Sequence, residues 1–315
     1  MFESQLKSGI SVVIPVYNSA LILTELVERL AAVLPGLSGE FEVILVNDGS
    51  RDESWKMIKN LSAKFDFVRG LCLMRNYGQH NALLGGIRAA IYDVTITMDD
   101  DLQHPPEELP KLVKGLTENY DVVYAPPLQE QHGILRDLAS VVTKMALQGA
   151  MGAEIAQQSS AWRIFRTRVR EAFSEYRSPL ASVDVLLTWG TVRFSAIPLR
   201  HDPRAHGKSN YTFRKLVRHS FNMMTGFSIV PLQIASLVGF FFTLFGFGIL
   251  AYVLIRYFFE GTSVQGFPFL ASAIAIFSGA QLFALGIIGE YLARMHFRIM
   301  DKPTYVVAMK TQSPQ

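Results

Sequence analysis

The chain has 315 residues with 30 Lys+Arg against 27 Asp+Glu, a formal charge of +3 that selects no acidic partner, nucleic acid included. Half of the residues are hydrophobic and the mean hydropathy is +0.22, too apolar for an ordinary soluble protein unless the excess is concentrated somewhere. The single cysteine, Cys72, excludes an intrachain disulfide and a cysteine-based zinc site, and it reads as core filler. Residues 1–9 contain no apolar h-region, which predicts no cleaved signal peptide and an N-terminal domain that stays in the cytoplasm.

Residues 11–16 form a buried-type strand running into Tyr17 and Asn18. Leu23, Leu26, Val27, Leu30, Val33 and Leu34 then recur at helical spacing until Pro35-Gly36. Strands are predicted at 42–46, ending in Asn47-Asp48-Gly49-Ser50, and at 68–74, leading into Arg75-Asn76-Tyr77-Gly78-Gln79-His80 and a small-residue helix to about Ala90. A fourth strand begins at Val94, a helix covers roughly 107–118, and another strand lies at 121–125. Strands alternating with helices, and apolar almost throughout, predict a mostly parallel α/β sheet covered on both faces. Ligands of such sheets sit beyond the carboxyl ends of the strands, where Asn18, Asp48, Arg75 and 99–103 all fall.

The fourth strand carries the chemistry: Thr95-Ile96-Thr97-Met98 is followed by Asp99-Asp100-Asp101-Leu102-Gln103-His104-Pro105-Pro106. Read as an extended segment, Asp99 and Asp101 point one way and Asp100 the other, with Gln103 in phase as a third oxygen donor. Hard carboxylates at a strand end suit Mg²⁺ or Mn²⁺, above all when the ion also grips a diphosphate. The bland alternative is a solvated acidic turn, or an N-cap for a helix starting near Pro106. A Gly-x-Gly-x-x-Gly after the first strand and a Gly-x-x-x-x-Gly-Lys-Ser/Thr loop are both absent from the sequence, which argues against a dinucleotide oxidoreductase and a P-loop NTPase.

A helix over 133–149 would carry Arg136 and Ser140 one turn apart on one face. Residues 157–166 form a polar loop entering a short strand, 183–189 a helical turn, 192–199 a strand and 201–211 a flexible basic loop. From 212 to 226 an apolar stripe beside Arg214, Lys215 and Arg218 fits a helix lying on an anionic membrane surface. Residues 229–255 and 267–288 are each long and apolar enough to cross ~30 Å of hydrocarbon. Basic residues before and after the pair, against Arg256 alone in the connecting loop, put both flanks in the cytoplasm. Gly239, Gly246, Gly248, Gly279, Gly286 and Gly289 allow close helix packing. The tail from Thr304 to Gln315 is expected to fray. The predicted organisation is therefore a cytoplasmic domain over 1–210, an interfacial helix over 211–228, a transmembrane hairpin over 229–291 and a cytoplasmic tail over 292–315.

The segments at 12–18, 47–50 and 75–80 and the run Asp99-x-Asp101-Leu102-Gln103-His104-Pro105-Pro106-Glu107 resemble the family 2 glycosyltransferases of GT-A fold. The similarity runs from about residue 10 to about residue 302. It is nearest to the polyprenyl-phosphate branch, which holds dolichol-phosphate mannose synthases, undecaprenyl-phosphate glucosyltransferases and aminoarabinose transferases. The resemblance implies a Rossmann-like GT-A domain that transfers a sugar, with inversion, from a UDP-sugar to undecaprenyl or another polyprenyl phosphate at the inner face of the bacterial cytoplasmic membrane. GDP-mannose is the alternative donor. It implies that Pro15, Tyr17 and Asn18 line the nucleotide pocket with Asp99 and Asp100, and that Asp48 reads the base. Asp99 would lie near ribose and metal, and Asp101 and Gln103 would hold Mg²⁺ or Mn²⁺. Arg136 and Ser140 would meet the acceptor phosphate, and Arg204, Gly207, Lys208 and Ser209 would form the loop closing over the phosphates. It also implies the lipid bilayer as a partner and a homo-oligomer, a tetramer by family likeness.

The sequence departs from that pattern twice. Gln157-Gln158-Ser159-Ser160 stands where many members carry an aspartate, so a base cannot be assigned there. Tyr124-Ala125-Pro126-Pro127 lacks the arginine of the mannose synthases, which favours a UDP-sugar over GDP-mannose. Of the rival readings, a processive polysaccharide synthase would need a Gln-x-x-Arg-Trp motif and more spans. A catalytically dead nucleotide-sugar scaffold is opposed by the intact Asp99, Asp101 and Gln103. A two-span transporter subunit would need intramembrane charges, and the only acid there is Glu290 at the far end.

Overall fold

The β-branched runs pair as the alternation of elements requires. In the computed structural model, which describes residues 7–128, 151, 155, 158–178, 181–202, 230–260 and 267–311, β1 (Lys7–Val16) lies at the centre. It pairs in parallel with β2 (Phe41–Asn47) on one side and β4 (Tyr92–Thr97) on the other, and β3 (Val68–Leu73) extends the sheet beyond β2. Ile14 sits opposite Leu45 and Val12 opposite Ile96, all fully buried. Beyond β4 come β6 (Arg163–Arg166), β5 (Val122–Tyr124) and β7 (Phe194–Ala196). The order is β7-β5-β6-β4-β1-β2-β3-β8, where β8 is Val307–Lys310. β6 and β8 run antiparallel to their neighbours, so the sheet is mixed at its edges and parallel at its centre.

Helices cover the two faces. α1 (Leu23–Val33) buries Leu23, Leu26, Val27 and Leu30, the predicted stripe, and α2 (Ser54–Lys64) packs on the same core. On the other face α3 (Gln79–Ala89) lies directly against β1. A Cβ on Gly86 would meet Val13 Cγ1 at 2.3 Å, so the small-residue run is what lets this helix approach the sheet. α4 (Leu109–Gly115) and α5 (Val183–Gly190) complete the described cover. The predicted helix over 107–118 is shorter than its sequence suggested: a 3-10 turn, Pro106–Glu108, precedes α4, and Gly115 ends it.

Two long helices follow, α6 (Val230–Glu260) and α7 (Phe267–Ile299). Within them 232–256 and 276–296 are long and apolar enough to cross a membrane. Both run further than predicted; α6 continues through Arg256 to Glu260. Phe242 and Phe277 meet edge to face at 5.8 Å, and Gly246 gives Phe277 room to approach. Glu290 pairs with Arg294 one turn on, at 2.6 Å.

The expected frayed tail is corrected. After α7 the chain returns to the sheet as β8 along β3, with Leu71 opposite Lys310 and Cys72 opposite Met309. Gly70 donates to Thr311 Oγ1 at 2.8 Å, and Met74 donates to the Val306 carbonyl at 2.9 Å. Tyr305 packs on Gly85 of α3. The polar end of the tail, 310–315, drew attention away from Tyr305-Val306-Val307-Ala308-Met309, an apolar β-branched run that suits a short edge strand held by backbone hydrogen bonds.

Candidate active site

The crevice between β1 and β4 is the point where the strand order reverses, and the polar segments converge on it. Pro15 is buried in β1 opposite Val46, and β1 ends at Val16. Tyr17 is 42% exposed, and Asn18 turns the chain with φ 56, a left-handed conformation that asparagine tolerates. Asn18 Oδ1 accepts from Arg51 N at 2.8 Å, and Asn18 N donates to Ser50 Oγ at 3.0 Å. Ser19 N donates to Ser54 Oγ and Ala20 N to Asp52 Oδ2, at 3.0 and 3.1 Å. The loops after β1 and β2 are thus stitched into one floor. Asp48 is buried at the end of β2 and accepts from Tyr77 N at 2.7 Å and Gly78 N at 2.9 Å. Burial pushes its carboxyl pKa up against these two donors. Its hold fixes the segment before α3, and Gly78 (φ 93) makes the turn that lets both amides point at one carboxylate.

The acidic segment differs from the extended reading. β4 ends at Thr97, Met98 is buried, and a turn follows, so period-two alternation does not reach Asp101. The three carboxylates engage three neighbours instead. Asp99 Oδ1 accepts from Gln79 Nε2, the first residue of α3, at 2.6 Å. Asp100 Oδ2 accepts from Tyr17 N at 3.3 Å across the crevice, and burial pushes its pKa up to about 6. Asp101 Oδ1 accepts from Gln103 N at 3.1 Å, closing the turn through Leu102, which is buried with φ 60. A leucine in the left-handed region costs on the order of 1 kcal/mol, and here its side chain is anchored in the core.

What holds this turn is His104, to which the sequence reading gave no role. Its ring is buried, stacks on Trp162 at 5.0 Å and 19°, and meets His201 edge-on at 4.9 Å. Nδ1 accepts from Asp99 N at 3.1 Å, which assigns the proton of the neutral ring to Nε2. Burial, aided by the positive charge of Arg163 and by that of His201 when it is protonated, pushes the pKa down to about 3, so the ring is neutral across the physiological range. Asp202 N donates to the Gln103 carbonyl at 2.9 Å, and His201 Nε2 lies 3.1 Å from the Ala125 carbonyl. His201 and Asp202, the first two residues of the loop predicted to be flexible over 201–211, are therefore fastened to the acidic turn. The available signal was a histidine set between an acidic run and Pro105-Pro106.

The structure thus brings Pro15, Tyr17, Asn18, Asp48, Asp99, Asp100, Asp101 and Gln103 to one rim. Arg136, Ser140, Gln157, Arg204, Gly207, Lys208 and Ser209 lie outside the described residues, as do the predicted helices at 133–149 and 212–226. Among the described residues, no three His, Cys, Asp or Glu side chains form a ready-made metal cage. The donor set at the turn is hard oxygen: two carboxylates and an amide. That set fits Mg²⁺ or Mn²⁺, ions that need only one or two protein carboxylates when substrate phosphates supply the rest.

A parallel-centred sheet with helices on both faces, an antiparallel β6 inserted beside β4 and an acidic turn at the switch point defines a GT-A-type nucleotide-sugar transferase architecture. The Glycosyl transferase family 2 profile matches residues 11–168, and the chain belongs to that family. It is 32% identical over 309 residues to an undecaprenyl-phosphate 4-deoxy-4-formamido-L-arabinose transferase of Klebsiella pneumoniae, covering 97% of this chain and 94% of the relative. The transferase of the same name from Pectobacterium atrosepticum is 34% identical over 303 residues, covering 95% and 92%. Among solved structures, glucosyl-3-phosphoglycerate synthase from Mycobacterium tuberculosis, in complex with Mn²⁺, UDP and phosphoglyceric acid, superposes with a TM-score of 0.52. It is 21% identical, covering 69% of this chain and 76% of that one, a likeness of fold.

Proposed function

We propose that this protein transfers a sugar from a UDP-sugar to undecaprenyl phosphate at the cytoplasmic membrane surface, with inversion at the anomeric carbon. The observation that carries the reading is a family 2 glycosyltransferase domain whose own sheet is completed by the chain returning from an apolar hairpin. α3 links the two: Gln79 at its first turn bonds Asp99, and Arg88 at its last donates to Thr304 Oγ1 at 3.3 Å. Nine residues of helix separate them by roughly 14 Å, close enough for a lipid headgroup to meet the acidic turn.

The acceptor, a phosphate monoester, is ionised at neutral pH and already nucleophilic, so no strong general base is required in place of the aspartate missing near Gln157. One phosphate oxygen attacks the anomeric carbon while the bond to the nucleoside diphosphate breaks. In this reading Tyr17, Asn18 and Asp48 frame the nucleotide, and Asp99 and Asp100 border the ribose. Asp101 and Gln103 hold Mg²⁺ or Mn²⁺, which when bound offsets the charge growing on the diphosphate. Arg204 and Lys208 add to that compensation, and Arg136, Ser140 and Ser209 orient the acceptor phosphate. His104 keeps the Asp99 backbone in place and takes no part in proton transfer. The functional unit is a homo-oligomer.

The test is transfer of label from a panel of nucleotide sugars into the lipid phase. UDP-4-deoxy-4-formamido-L-arabinose heads the panel, UDP-glucose follows, and GDP-mannose is the contrast; undecaprenyl phosphate is compared with undecaprenol. Label in the lipid from one UDP-sugar, with the phosphate acceptor only, is the expected result. Transfer to undecaprenol, or from GDP-mannose alone, would overturn the assignment of acceptor or donor respectively.

A further inference from the structure

The site and its nucleotide do not use the segment at 171–178, which packs beside the residues leaving α7. Arg177 Nη1 lies 2.9 Å from Asp301 Oδ2. Arg88 Nη2 donates to the carbonyls of Phe173 at 3.3 Å and Tyr176 at 2.7 Å, while its Nη1 reaches Thr304. One arginine therefore fastens this segment and the post-helix chain to the same point of α3. The Arg177–Asp301 pair is exposed and contributes little energy in water, so its value is to mark proximity. The apolar window of α7 ends at His296; five residues at 1.5 Å each put Asp301 roughly 8 Å beyond it, the depth of a headgroup layer.

At that depth two aromatic rings are presented together. Tyr176 and Trp189 meet edge to face, with centroids 5.5 Å apart at 68°. They border an open concavity of about 530 Å³ that Phe173, Arg177 and the exposed Glu171 and Glu175 also line, a mixed-charge rim that suits zwitterionic headgroups. Trp189 is 50% exposed, although it closes a helix whose Val183, Leu186 and Leu187 are buried. A half-exposed tryptophan beside a tyrosine and an arginine presents an apolar face and polar edges side by side. It is favoured where one end of the ring meets acyl chains and the other meets headgroups.

We propose that the Tyr176–Trp189 shelf, with Arg177, is an interfacial seat that rests the catalytic domain on the phospholipid headgroup layer. The inference rests on the proposed membrane insertion of α6 and α7, and it adds a contact that the hairpin does not supply. A domain tied to two spans can still rock about its tethers; a seat at the α7 exit fixes its tilt, and with it the distance between acidic turn and bilayer.

The chain contains three tryptophans: Trp162 is buried in the core, Trp55 is partly buried on α2, and Trp189 is the exposed one. Intrinsic fluorescence of the full chain in nanodiscs therefore reads the seat. With a fraction of headgroup-nitroxide phosphatidylcholine, wild type should lose emission, and the loss should vanish in Trp189→Phe. Phe245→Trp in the Trp189→Phe background, with lipid brominated deep in the acyl chain, reports hairpin insertion separately. Quenching of Phe245→Trp by deep bromines, with no headgroup quenching of Trp189, would overturn the seat and leave the membrane reading standing. In that event acrylamide access to Trp189 would show a water-facing ring, and protection from it a second copy covering the shelf. Absence of quenching at both positions would overturn the membrane reading and the seat together.

Discussion

In the sheet domain Val12, Ile14, Leu45 and Ile96 are fully buried, whereas along α6 and α7 Phe240, Phe245, Leu282 and Leu285 each expose more than half of their surface. The same classes of side chain meet opposite fates within one chain. A water-soluble fold does not carry such an apolar face bare, so the contrast supports the proposed placement, with water around the sheet and hydrocarbon around the hairpin. The two halves also differ in how they treat charge. The domain buries Asp121, Glu42 and Arg163 in paired networks, while the hairpin keeps its ion pair, Glu290–Arg294, to the end of α7. β8 and α3 join two regions built on different rules.

Substitutions can sharpen that contrast. The largest effect is expected on chemistry rather than on either fold: Asp101→Ala should lower turnover about 1,000-fold, roughly 4 kcal/mol, while losing no more than about 1 kcal/mol of domain stability with the turn bond to Gln103 N. Loss of fold and activity together would make Asp101 structural. In the domain, Asp121→Ala should cost about 1–3 kcal/mol, read as a lowered midpoint in detergent, because Arg193, Arg168 and Arg166 converge on that carboxylate, although their own exposure to water limits the loss. Hydrogen bonds from Arg193, with Thr191 and Arg168 behind them, hold the Asp121 carboxyl well below the usual range. A depressed folded-state pKa gives stability that is present above pH ~4 and lost as the pH falls below it. Asp121→Asn should flatten that acid limb; an unchanged acid profile would contradict the assignment.

The contrast between solvents is tested directly by placing one new charge in each half. Phe245→Asp should weaken membrane insertion by about 3 kcal/mol, measured as the inserted fraction in a translocation assay. Leu21→Asp, at a domain position that is 90% exposed, should change the domain's midpoint by less than about 0.5 kcal/mol. Comparable tolerance of both would mean that α6 faces water. At the join, Tyr305→Ala should cost about 2 kcal/mol, less than the new charge at Phe245, and free the tail, seen as faster amide exchange at 307–310. Unaltered protection of β8 would show that backbone pairing alone secures it.

Much of this organisation was legible in the sequence, for physical reasons that differ by element. The stripe of α1, the apolar central strands and the two long helices follow from periodicity and length, signals that tertiary context seldom overrides. The placing of Asn18, Asp48 and Asp99–Gln103 at one rim followed from the alternation of strands and helices, which makes the central strands parallel and sets their carboxyl ends on one side. The direction of the individual carboxylates did not, because it depends on where β4 stops. That point is set by Leu102 entering the core with φ 60 and by His104 drawing the Asp99 amide inward, both long-range packing effects. The role of His104 was hidden for the same reason: its partners Trp162 and His201 are 58 and 97 residues away. β8 was missed because the polar end of the chain outweighed the short Tyr305-Val306-Val307 run, whose strand signal spans too few residues to show a period.

The central claim is metal-assisted transfer onto a lipid phosphate, and one titration tests it most directly. Full-length protein in nanodiscs carrying undecaprenyl phosphate would be given labelled UDP-sugar, then EDTA, then Mn²⁺ or Mg²⁺ in excess, with Asp101→Ala run in parallel. The account predicts lipid-phase label that stops with EDTA, resumes with the divalent ion and is lost in Asp101→Ala. Transfer that proceeds unchanged through EDTA, or that survives in Asp101→Ala at the wild-type rate, would contradict it.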